Sequence, residues 1–279
     1  MSGSPLSTQK IYIRAVRDLM ESLGSVPESL SVDQIKGHLA AYRGKLSSSA
    51  LNSRVCGIKY YFRKVVRRPD LVVDVPNPRV AKYVQEVLSE GDLTILYAAC
   101  QNMRELSLLH LLFDTGMRSR EVSTLKLTDF NKTYSQVTIR SSKGGKTRTV
   151  PYSVELRTTL TQYFESQRAR PTDYLFENRD AAGEPISVRG VQYIVKEVVK
   201  EVVKRSRMKR DIHPHTFRHS FAIHYINNGG NLLRLQQLMG HENIESTLHY
   251  LKYCTIPLID CATPLSVMLN RHKNTKPKS

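Results

Sequence analysis

Four local patterns carry residue types that can move a phosphoryl group. Thr115-Gly116-Met117-Arg118 is followed by Glu121, and Lys143 opens the run Lys143-Gly144-Gly145-Lys146. His215-Thr216-Phe217-Arg218 sets a histidine three residues before an arginine, and Tyr250 comes nine residues after His241 of the pair Gly240-His241. Breaking a phosphodiester without a metal takes a nucleophile for phosphorus, cations for the non-bridging oxygens and a proton for the leaving oxygen. Arginine suits the second task, because its planar fork donates two parallel hydrogen bonds to phosphate. Arg118 and Arg218 together supply such a clamp. At the start of a helix, the three-residue spacing puts His215 and Arg218 on one face. Lys143 at a turn tip can reach into a groove and deliver a proton. His241, after a helix-ending glycine, is open to a phosphate oxygen. Tyr250 as nucleophile keeps the bond energy in a phosphotyrosyl ester, so rejoining needs no nucleotide cofactor.

Taken singly, none of these is diagnostic. Arg118 reads as a surface arginine, Lys143 as a basic turn residue and Tyr250 as a half-buried tyrosine. Their joint occurrence in this order carries the chemistry. The composition agrees with a polyanionic partner: 42 lysines and arginines stand against 25 aspartates and glutamates, a formal charge of +17. Nucleic acid fits this excess better than anionic lipid, because the charge is spread along the chain rather than packed in one amphipathic segment. No stretch approaches the ~20 apolar residues of a membrane span, and the first ten residues lack the apolar run of a signal peptide. A cytoplasmic protein is expected. The four cysteines, Cys56, Cys100, Cys254 and Cys261, lack zinc-knuckle spacing and read as reduced thiols.

These residues need elements to position them. The first ~70 residues read as helices. One carries Ile11, Val16, Leu19, Met20 and Leu23 and stops at Gly24; a second starts at Ser31, with Ile35, Leu39 and Tyr42 inward. A third follows Ser47-Ser48-Ser49, turns Leu51, Val55, Ile58, Phe62 and Val65 inward, and ends at Pro69. Its polar side bears Lys59, Arg63, Lys64, Arg67 and Arg68 with no acidic residue between them, which points to phosphate contact. Prolines 69, 76 and 78 mark a linker, with a short helix over Val80 to Leu88, and the domain boundary is placed near residue 78. Beyond it, helices are expected over Leu93–Cys100, Leu106–Phe113, Arg118–Leu125, Val154–Arg168, Ser187–Arg207, Thr216–Asn228, Leu232–Met239 and Glu245–Tyr253. Tyr134–Arg140 and Thr147–Pro151 read as strands joined by the Lys143–Lys146 hairpin turn. In the long helix, Lys196-Glu197-Val198-Val199 repeats as Lys200-Glu201-Val202-Val203, spacing that invites pairing four residues apart. The fold class is mainly α with a small antiparallel β-sheet.

Two segments then resemble the boxes of the tyrosine recombinase (phage integrase, Xer-like) family. One is Leu111-Leu112-Phe113-Asp114-Thr115-Gly116-Met117-Arg118-Ser119-Arg120-Glu121-Val122; the other runs from His213-Pro214-His215-Thr216-Phe217-Arg218-His219-Ser220-Phe221-Ala222 through Gly240-His241 to Tyr250. The similarity is close over roughly residues 90–253. It implies a helical core-binding domain (1–78) and a mixed α/β catalytic domain (79–279). By resemblance, Arg118 and Arg218 are the paired catalytic arginines and Lys143 protonates the leaving 5′ oxygen. His215 is the general acid/base, His241 the later histidine, Tyr250 the nucleophile and Glu121 a support for the first arginine. The resemblance also implies site-specific recombination through a 3′-phosphotyrosyl intermediate and a Holliday junction. Its substrate would be double-stranded DNA with inverted-repeat half-sites, held by a homo-tetramer on two duplexes, with accessory proteins left open. No cofactor and no metal are implied. Tyr253 is the local competitor of Tyr250.

Three rivals remain. Metal-dependent phosphoryl transfer has histidines between 213 and 249 but only Asp211, Glu242 and Glu245 as nearby carboxylates. A DNA-binding regulator without catalysis does not need the full constellation. A type IB topoisomerase shares the chemistry and relaxes DNA without synapsis.

Overall fold

The computed structural model describes residues 6–24, 26–79, 86–140, 147–167, 171–206 and 211–254. The chain divides into two compact units, Met1–Val84 and Gln85–Ser279, each with its own hydrophobic core. It is mainly helical with small antiparallel sheets.

In the first unit, α1 (Leu6–Leu23), α2 (Val32–Ala40), α3 (Ser48–Lys64) and α4 (Asp70–Val73) enclose Leu19, Ile35, Ile58, Phe62 and Val72. Ser31 caps α2 in a reciprocal box with Gln34, and Ser47 caps α3 by accepting from the Ala50 amide. Two inward residues expected from periodicity lie outside. Ile11 is 47% exposed while Ala15 is buried in its stead, and Val65 is 59% exposed because α3 ends one residue earlier. Pro69 does not end α3 but precedes α4, where its fixed φ suits a helix start.

In the second unit, α5 (Glu90–Ala98), α6 (Met103–Thr115) and α7 (Ser119–Ser123) lead into strands β1 (Phe130–Asn131), β2 (Gln136–Arg140) and β3 (Thr147–Pro151). These form an antiparallel meander in the order β1-β2-β3, with Val137 opposite Val150. Val137, Ile139 and Val150 are buried, as the two-residue period of a half-buried strand requires. Then come α8 (Val154–Ser166), the hairpin β4 (Glu177–Asn178) and β5 (Ala181–Pro185), α9 (Val188–Ser206), α10 (Pro214–Asn227), α11 (Leu232–Met239) and α12 (Glu245–Leu248). The last is continued by a 3-10 turn over His249–Tyr253.

α9 buries Val191, Val195, Val198 and Val202 on one stripe. Its repeat pairs Glu197 with Lys200 at 3.0 Å and Glu201 with Lys204 at 2.6 Å, three residues apart. The helix expected over Arg118–Leu125 shortens to α7, and the strands β1, β4 and β5 were not anticipated. The expected Lys143–Lys146 turn lies outside the described residues, as do most of the Val80–Leu88 segment and everything after Cys254.

Candidate active site

Two helix ends and a helix start converge on one place. α6 stops at Gly116, whose left-handed φ of +60° suits glycine. The chain turns at once into α7, with Arg118 at its N-cap in extended conformation. The Arg118 amide, one of the open donors of a helix start, gives its hydrogen to Glu121 Oε2 at 2.8 Å. Glu121 sits one turn in, 7% exposed, and its Oε1 also accepts from Arg118 Nη1 at 3.1 Å.

Arg148 of β3 reaches the same carboxylate. Its Nη1 donates to Glu121 Oε1 at 2.7 Å and its Nη2 to Oε2 at 2.8 Å, the two-bond fork favoured between these groups. Arg218 Nη1 stands 4.0 Å from Glu121 Oε2. Burial alone would raise the Glu121 carboxyl; the Arg148 fork, the Arg118 amide and the charge of Arg218 outweigh it and hold the group at about 2. Glu121 is therefore an anion throughout the neutral range.

Arg218 comes from the second turn of α10 and is 4% exposed. Its Nη1 donates to the Gly116 carbonyl at 2.6 Å and its Nη2 to the Met239 carbonyl. The α6 and α11 ends thus offer unpaired carbonyls to the guanidinium. Burial, and then the neighbouring Arg118, bring Arg218 down to about 9, still protonated at neutral pH. His241 follows Gly240, the left-handed end of α11. Its Nε2 lies 3.2 Å from Arg218 Nη2 and its Nδ1 2.9 Å from Thr247 Oγ1. A guanidinium only donates, so Nε2 accepts and Nδ1 carries the proton to the fully buried Thr247. Burial, with Arg218, Arg118 and Arg148, pushes His241 down to about 4, which fits this neutral tautomer.

Tyr250 projects from the 3-10 turn into the same place, 9% exposed, its ring stacked on His241 at 6.0 Å and 16°. The Arg218 and Arg118 charges act on its hydroxyl. Burial raises the phenol, while Arg218 and Arg118 pull it back, so it is protonated at neutral pH. His215, on the exposed side of the α10 start, is lowered by desolvation and then by the charges of His213, Arg218 and Arg118. Tyr253 packs instead on His219 and His249.

Of the seven site residues expected from sequence, six therefore gather here: Arg118, Glu121, His215, Arg218, His241 and Tyr250. Lys143 lies outside the described residues. Two neighbours were not singled out. Arg148 lies two residues before the buried Val150, on the same strand face, which was a usable signal. His219 is 3% exposed, its ring 5.2 Å from Tyr250 and 4.9 Å from Tyr253, with neither nitrogen partnered among the described residues. Burial holds it down to about 4. Among the described residues no group of three or more histidine, cysteine, aspartate or glutamate side chains is arranged for a metal ion.

The expected basic side of the first unit is less uniform than its sequence. Arg63, Lys64 and Arg67 are exposed. Arg67 and Arg68 lie past the end of α3, and Arg68, the last of the row, is paired to Asp70 at 2.7 Å. Lys59 donates to Asn77.

The model of the phage integrase family matches residues 86–254, which hold all six gathered residues. The chain belongs to the phage integrase family. This recombinase is 30% identical over 256 residues to the tyrosine recombinase XerA of Pyrococcus horikoshii, covering 91% of this chain and 86% of that one. It is 28% identical over 236 residues to the tyrosine recombinase XerC of Staphylococcus epidermidis, covering 80% and 77%. Its fold is similar to the Tn1549 transposon integrase solved in complex with transposon right end DNA, with a TM-score of 0.70 at 19% identity, covering 99% and 96%. It is an enzyme of the tyrosine-recombinase type, a site-specific DNA strand transferase.

Proposed function

We propose that the recombinase cuts DNA with Tyr250, joining its Oη to phosphorus while the bond from phosphorus to the 5′ oxygen breaks. The 3′-phosphotyrosyl ester then exchanges for the 5′ hydroxyl of a partner strand. Arg118 and Arg218 hold the non-bridging oxygens, with Glu121 supporting Arg118. The Tyr250 proton passes to His215, whose lowered pKa keeps it neutral and ready to accept. His241 Nε2 accepts from Arg218 and so holds that guanidinium in place for the phosphate, and Lys143 protonates the leaving 5′ oxygen. The observation that carries the reading is the Tyr250 ring stacked on His241, whose Nε2 accepts from the Arg218 guanidinium that two helix-end carbonyls fix in place.

The substrate is double-stranded DNA with inverted-repeat half-sites, bound in the cytoplasm by four copies on two duplexes, with strands exchanged in pairs through a Holliday junction. Residues 1–78 act as the core-binding part, where Lys59, Arg63, Lys64, Arg67 and Arg68 meet phosphates, and residues 79–279 as the catalytic part. By the same reading the segment after Tyr250, including Ile256 to Leu269 and outside the described residues, acts in trans on a neighbouring copy and regulates whose tyrosine is active; accessory proteins stay open. Removing residues 256–279 is then expected to impair assembly and spare half-site binding, and unchanged synapsis counts against it.

The test is strand exchange between two marked duplexes. Recombinants are expected with the parent chain and none with Tyr250→Phe, which still binds DNA. Relaxation without recombinants would favour a topoisomerase. A substrate with a 5′-bridging sulfur, whose leaving group needs no proton, is expected to rescue Lys143→Ala; failure moves the acid role elsewhere.

A further inference from the structure

One carboxylate faces three guanidiniums in this site, and they do not share it equally. Arg148 grips both Glu121 oxygens, at 2.7 and 2.8 Å, from a side chain only 10% exposed. Arg118 keeps a single longer side-chain bond, at 3.1 Å, and its side chain is 38% exposed. Among the described residues, Arg118 Nε and Nη2 donate to no protein atom. The exposed arginine has donors to spare, and the buried one has spent most of its own.

A carboxylate offers about four acceptor sites, so guanidiniums around it compete. We propose that Arg148 is a positioning residue that saturates Glu121, so that Arg118 keeps its free donors for a DNA phosphate. The proposal rests on the reading of Arg118 and Arg218 as the phosphate clamp. Without Arg148, Glu121 is free to take Arg118 into a two-bond fork and fold away the donors that phosphate needs. The charge count points the same way. Arg118, Arg148 and Arg218 with Glu121 leave a net charge of +2, which matches the doubly negative five-coordinate phosphorus formed on attack. Arg148 is also anchored at the far end of the site. Its Nε donates to the Leu238 carbonyl at 2.7 Å, and a Cβ at Gly240 would lie 3.0 Å from its Nη1, so it braces the helix end that carries His241.

The test compares single-turnover formation of the covalent adduct by full-length variants. The probe is a nicked suicide duplex, built on the DNA segment that Tyr250→Phe selects by binding. Arg148→Met is expected to slow adduct formation about 100-fold, the scale of losing one preorganised contact to the reacting group. Its affinity for the duplex, by gel shift, stays within about 3-fold of the parent, because only the reaction step is affected. Adding Glu121→Gln to Arg148→Met is expected to restore at least about 10-fold, since a neutral amide no longer captures Arg118. A purely structural defect gains nothing from removing the anion. Arg148→Lys keeps the cation without the fork and should fall between parent and Arg148→Met; where the methionine variant does not fold, the lysine variant carries the same comparison with Glu121→Gln. A parent-like rate in Arg148→Met, or a double variant as slow as the single, overturns the proposal. Arg118→Ala is run alongside. If it cleaves at the parent rate, the clamp reading fails and this inference with it; if it is slow while the Arg148 comparison fails, this inference alone falls.

Discussion

His241 shows how one hydrogen bond settles a protonation state. Facing a guanidinium at 3.2 Å, its Nε2 must accept, so the proton sits on Nδ1 against Thr247. Nitrogen NMR of the DNA-free protein at pH 7 is expected to show a neutral His241 ring protonated at Nδ1; an imidazolium, or a ring protonated at Nε2, contradicts the geometry. Arg118→Ala and Arg218→Ala are each expected to cost about two to three powers of ten in cleavage rate, read as single-turnover adduct formation. Most of the residues that gather at the site are legible in the sequence because a helix end or start makes their local pattern meaningful. Arg148 was not, although it shares a strand face with Val150, because an arginine in an alternating strand looks like a solvated side chain until the carboxylate opposite is seen. His219 touches both tyrosines, and nothing in its spacing from Tyr250 or Tyr253 announces that contact.

The elements matter here chiefly through their ends. Gly116 closes α6 and hands its carbonyl to Arg218, and Gly240 closes α11 and hands the chain to His241. A Cβ at Gly116 would stand 2.6 Å from Phe221 Cδ1, at a φ of +60°. Gly116→Ala is therefore expected to destabilise the fold by about 1–3 kcal/mol through overpacking, seen as a lower melting temperature, and to slow cleavage by moving the Arg218 acceptor. A melting curve equal to the parent's contradicts this. Gly-stopped helices and serine caps were readable in advance, since the residue types carry the backbone geometry. The hairpin β4–β5 was not, because Glu177 to Pro185 has neither alternation nor β-branched residues. α7 was overextended for a related reason: the apolar spacing of Val122 and Leu125 continues past Ser123, while the chain turns toward the bridge between Lys126 and Tyr174.

At the scale of the whole molecule, two buried histidines set the acid limit. His219 and His241 are both held at about 4, against an ordinary value of 6.5. Between those values the unfolded chain takes up protons that the folded one refuses. Their contribution is complete above pH 6.5 and is lost as pH falls toward 4. Glu121, held at about 2 against 4.5, adds a loss in the same direction below pH 4.5. Denaturant midpoints are expected to fall steadily from pH 7 to pH 4.5, and a maximum near pH 5 contradicts the assignment. The formal charge of +17 predicts DNA affinity that drops by orders of magnitude between about 50 and 200 mM salt, and a flat dependence in gel shifts contradicts phosphate-led binding. The most direct test of the central claim is digestion of the trapped protein–DNA adduct followed by mass spectrometry. The account predicts a nucleotide attached through its 3′ phosphate to the peptide that holds Tyr250; attachment at Tyr253, or no covalent species, contradicts it.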